Sequence, residues 1–127
     1  MITFHSRGVG LALAISAAAA AAPALAHHSF AVFDSSKAVT LEGAVKEFQW
    51  TNPHVWIQLV VKDAHGAEVE WSVEASSASI LARQGWTRGT MKPGDKVVVV
   101  VHPSKQGSAD GQLVSAVVNG QPVRSAG

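Results

Sequence analysis

Histidine is the one chemically versatile side chain concentrated in this sequence. Six histidines occur among 127 residues, and there is no cysteine. Without thiols there are no thiolate metal sites, cysteine nucleophiles or dithiol redox chemistry. His27 and His28 stand side by side. His54 follows a proline in Trp50-Thr51-Asn52-Pro53-His54-Val55-Trp56, and His102 closes a valine run before Pro103. Imidazoles are largely neutral near pH 7 and offer a nitrogen lone pair, which suits a transition metal. Nitrogen donors of this kind favour Cu(II) among divalent first-row ions, with Ni(II) and Zn(II) behind, hence copper before zinc. A chain that begins at His27 adds its α-amine to the His27 imidazole in one chelate, and His28 supplies a second imidazole. His54 and His102, each at a strand end, are candidates to complete such a site from a distance. The His27-His28-Ser29 order is not the x-x-His order of an amino-terminal copper motif. The competing reading makes the histidine pair a solvated arm and His54 a hydrogen-bonded structural residue. His65, in a hairpin turn, reads as solvated.

A chain beginning at His27 is what the first 26 residues predict. Arg7 supplies a positive start, Gly8 to Ala22 is small and apolar, and Ala24-Leu25-Ala26 is the A-x-A pattern cut by signal peptidase. The stretch is short for a membrane span and lacks a stop-transfer flank. No twin arginine is present, so the general secretory route is expected. The product is periplasmic or secreted. Residues 27–127 carry nine basic against nine acidic side chains and no basic run, which argues against nucleic acid as a partner. No aliphatic run in that part is long enough to span a bilayer.

Other chemistry is thin. Glu68, Glu70 and Glu74 alternate along one strand, the usual mark of a solvated face. Ser, His and Asp are present, but no nucleophile elbow joins them, so no catalysis is expected. The tryptophans offer a second binding mode. Trp50 and Trp56 on an exposed barrel face would take an envelope protein or a glycan by stacking. Against it, Trp50 is read as core with Trp71 and Trp86, and Trp56 as packed beneath the amino-terminal arm.

These residues need elements to hold them. Phe30, Val32 and Phe33 predict an arm over residues 27–38 that packs on the domain. Val39 to Trp50 is strand-like, with Gly43 marking a bulge or bend. Val55 to Lys62 alternates, with Val55, Ile57, Leu59 and Val61 inward and Trp56, Gln58, Val60 and Lys62 outward. Asp63 to Gly66 is a hairpin turn. In Ala67 to Glu74, Val69, Trp71 and Val73 point in and the glutamates out. Ser76 to Gln84 takes a helical period, with Ile80 and Leu81 toward the core and Gly85 as the stop. Lys92 to Asp95 is a turn, Lys96 to His102 a buried strand, and Gln112 to Asn119 the last strand. Residues 39–120 then form the domain and 121–127 a fraying tail. Three strands, a helix and two strands, with the bent strand first, is the order of a five-stranded OB-fold-like Greek-key barrel.

Four segments together resemble a known family. They are Ala26-His27-His28-Ser29-Phe30, Trp50 to Trp56, Leu81-Ala82-Arg83-Gln84-Gly85-Trp86-Thr87 and Lys92-Pro93-Gly94-Asp95-Lys96-Val97. The chain is similar to domain-of-unknown-function family 6152, small exported bacterial proteins. The resemblance implies an exported single-domain protein and no established activity, so it assigns no site residue. The residues themselves predict an exported, non-catalytic binding module holding Cu(II) through His27, His28, His54 and His102. The alternative is an interaction protein using Trp50 and Trp56.

Overall fold

Side chains that turn inward at every second residue shape the first strands. The structure is a computed structural model and describes residues 30–123. β1 (Val39–Gln49), β2 (Trp56–Lys62) and β3 (Glu68–Glu74) form an antiparallel meander. Val55, Ile57, Leu59 and Val61 all point into the core, as their period requires. Helix α1 (Ala78–Arg83) follows. Ser77 caps it by accepting from the Ile80 N–H at 3.2 Å. Gly85 ends it at φ 91°, a left-handed position that suits glycine. Leu81 is buried, but Ile80 is 46% exposed, contrary to the sequence expectation. One six-residue helix turns only a narrow stripe to the core, and Leu81 and Ala78 fill it.

β4 (Lys96–Pro103) and β5 (Asp110–Val118) complete the barrel. β4 pairs β1 antiparallel, and β5 runs between β4 and β3, meeting β3 in parallel from Ser72↔Asp110 to Glu74↔Gln112. The ring β1-β2-β3-β5-β4 is therefore closed, which leaves no open edge within it. The long first strand serves both sides, pairing β2 and β4 at once. Its register irregularity lies between Val45 and Glu47, not at Gly43. Gly43 instead permits close approach of the neighbouring strand, because a Cβ there would fall on the Val60 carbonyl oxygen.

The expected tail over 121–127 needs correction in its first part. β6 (Gln121–Val123) adds to β5 outside the barrel. Asn119 (φ 47°) and Gly120 (φ 81°) make the two-residue turn into it. Trp86, 2% exposed, is part of the core, with Phe48 at 6.5 Å between ring centroids.

The amino-terminal arm straps the outside. A 3-10 turn, Phe30–Val32, leads to Phe33, which bridges Ser104 and is buried. The Asp34 N–H donates to the Pro103 carbonyl at 2.8 Å, and the Lys105 N–H to the Val32 carbonyl at 2.9 Å. Lys105 Nζ donates to the Ala31 carbonyl at 2.7 Å.

Candidate functional site: the His54–Glu74 corner

The turn from β1 to β2 is built to hold His54. Its Asn52–Pro53 peptide bond is cis. Thr51 Oγ1 donates to the His54 carbonyl at 2.6 Å. The Val55 N–H donates to Ser76 and the Ala75 N–H to Val55, at 3.0 and 2.8 Å. These bonds fasten the turn to the chain leaving β3. The His54 ring is thereby laid against the end of that strand. Its Nδ1 is 3.1 Å from the Ala75 carbonyl oxygen and 3.2 Å from Glu74 Oε1. A carbonyl can only accept, so Nδ1 carries the proton. The lone pair of the neutral ring is then on Nε2.

Glu74 corrects the view of β3 as having a fully solvated acidic face. Glu68 and Glu70 are exposed, but Glu74 is 4% exposed. It does project from the outer face, yet at the end of β3 that face lies under His54. Phe30 in turn meets the His54 ring edge-on, with centroids 5.2 Å apart and planes at 84°. Strand alternation reports the side from which a residue projects, not what later covers it.

Pairing carries the corner across the sheet. Trp56 is the register partner of Glu74, Glu74 of Gln112, and Gln112 of His102. Directly paired residues share a face, so these four form one outer row. With strands about 4.8 Å apart, the Glu74 and His102 backbones lie roughly 10 Å apart. His102 has its own partner, since Nδ1 donates to the Lys37 carbonyl at 2.7 Å. It ties down the far end of the arm, whereas Phe30 reaches His54.

Trp50 sits elsewhere, packed against the core beside Phe48 at 6.0 Å between centroids. Trp56 is half-buried on the outer face. His65 is exposed on its hairpin turn. His27 and His28 lie outside the described residues. Among the described residues, no group of three or more His, Cys, Asp or Glu is placed to hold a metal ion, and no helix is long and apolar enough to cross a membrane.

Glu74 is the site residue that sequence reasoning missed. The signal was its place in the β2–β3 hairpin: pairing Trp56 with Glu74 puts His54, two residues before β2, beside the strand end.

No curated protein and no solved structure matches the chain. A family model described as a family of unknown function, DUF6152, matches residues 14–114. The chain, with its closed barrel and histidine-bearing turn, belongs to that family.

Proposed function

We propose that this protein is an exported, non-catalytic binding module that holds a transition metal, copper before zinc. The donors are the His27 α-amine and imidazole, the His28 imidazole and Nε2 of His54. One observation carries the reading: Phe30, three residues after His27, rests on the ring of a histidine whose Nδ1 is already bonded. Metal-binding imidazoles normally donate their other nitrogen to a carbonyl or carboxylate. His102 also has a bonded Nδ1, but it holds the opposite end of the arm at Lys37. That favours His54 as the distant ligand. The Ala24-Leu25-Ala26 site supports cleavage before His27 and a periplasmic or secreted location.

The test is intact mass of the exported protein, then copper titration of two variants. A chain starting at His27 is expected. His54→Ala should weaken copper at least tenfold, while His102→Ala should lower stability and leave copper affinity unchanged. A mature chain that keeps Met1 or starts beyond His28 removes the chelate and ends the proposal.

One observation favours a second reading. Trp56 stays on the outer face beside Glu74 and Gln112, the side on which OB-folds take ligands. An envelope protein or glycan bound there would depend on Trp56 and not on the histidines.

A further inference from the structure

Period 2 turns Glu42 and Ala44 of β1, Val60 and Lys62 of β2, and Lys96 and Val98 of β4 outward, because Leu41, Val61, Val97 and Val99 between them are buried. Register gathers the outward set. Ala44 pairs with both Val60 and Lys96, Glu42 with Val98, Val98 with Val117, and Lys62 with Glu68. Paired residues share a face, and these line one groove of about 820 Å³. The groove lies at the Lys62 end of β2, opposite the His54 end, and shares no residue with the row from Trp56 to His102. Val98 is 36% exposed and, with Ala44, Val60 and Val117, supplies apolar lining. The charges are two acids, Glu42 and Glu68, and two bases, Lys62 and Lys96. Among the described residues, no ion pair ties any of these four, whereas Glu70, the register partner of Val60, is joined to Lys46 at 2.7 Å. Balanced charges beside exposed valine suit neither a polyanion nor a polycation. They are self-complementary: a second copy related by a twofold axis sets each glutamate against a lysine and apolar lining against apolar lining. Growth at the sheet edge is the poorer route, because Pro122 of the outermost strand, β6, has no N–H for another strand. We infer that this groove is the interface of a symmetric dimer, occupied by the same groove of a second copy of the chain.

The experiment is sedimentation equilibrium of the full processed protein, free of metal so that the copper reading plays no part. Wild type should show a monomer–dimer equilibrium, and a protein still monomeric at about 1 mM would overturn the inference. Val98→Lys should weaken the dimer about tenfold or more, because it puts a charge into the apolar contact. Lys62→Glu with Lys96→Glu leaves only acids in the groove, and Glu42→Lys with Glu68→Lys only bases. Each double variant should lose self-association, and an equal mixture of the two should form a heterodimer. All four charged positions are exposed, so the thermal midpoints of the monomers should stay close to one another. Double variants that dimerise as wild type does would put the interface elsewhere and overturn the inference, and so would a mixture that stays monomeric. A dilution series of wild type followed by amide NMR needs no substitution. Shifts should move at Glu42 to Ala44, Val60 to Lys62 and Lys96 to Val98, and changes confined to other residues would overturn the assignment of this face.

Discussion

Tryptophans on one barrel differ in what their loss costs, because the rings differ in burial. Trp86 is 2% exposed and belongs to the core cluster, so Trp86→Ala should destabilise by about 3–5 kcal/mol. Trp56 stands outside the core cluster, and Trp56→Ala should cost under about 1 kcal/mol. Urea denaturation of the two variants checks this, and equal losses would contradict the assignment of faces. Gly43→Ala should also destabilise, by about 1–3 kcal/mol, since the new methyl meets the Val60 backbone and not a side chain that can turn away. At this scale the sequence was legible for direction and less so for depth. Period 2 placed Val69, Trp71 and Val73 on one face, yet only Val73 is fully buried, and Trp71 packs at the core margin. Glu74 is the converse: an outward residue covered by a turn and an arm that lie distant in sequence.

Strands, the helix and the hairpin turns carry local signals, and those were readable. Alternation marked β2 and β3, Ser77 and Gly85 bounded α1, and Gly66 and Gly94 hold their turns at φ 79° and 91°. β6 was missed because Gly120 and Pro122 look like a tail, although Asn119-Gly120 is a strong hairpin signal. Asn119 also joins two turns. Its Oδ1 accepts from the Lys96 N–H at 3.0 Å, and its Nδ2 donates to Asp95 Oδ1 at 3.1 Å. Asp95 Oδ2 accepts from the Lys92 N–H at 2.9 Å. The Asn119 bond first, then the Lys92 N–H, hold the Asp95 carboxyl below its ordinary 3.8. A lowered folded-state value means that the contribution to stability is full above 3.8 and fades as pH falls below it through the folded value. Asp95→Asn should therefore flatten that acidic part of the stability–pH curve. Denaturation midpoints across the acid range, unchanged in shape by the substitution, would contradict the role of this clip.

Closure of the whole barrel brings the corner together. β3 meets β5 only because the ring closes, and the row from Trp56 to His102 exists only in that closed form. Periodicity supplied the element order and hence the OB-like topology, but not which outer positions the arm would cover. The strap from Lys37 to Phe30 crosses the end of β4 and stops on His54, so the barrel presents a pre-bonded imidazole beside the point where the arm enters. The central claim is that copper uses the free amine of His27 together with this imidazole. Copper needs deprotonated nitrogen donors, so binding should weaken as pH falls through the ordinary histidine range. The most direct measurement is calorimetric Cu(II) titration of protein starting at His27, beside the same protein with one extra amino-terminal residue. The account predicts that the extension, which removes the amine from the chelate, weakens Cu(II) at least tenfold without changing the thermal midpoint of the metal-free barrel. Equal affinity in the two forms would contradict it.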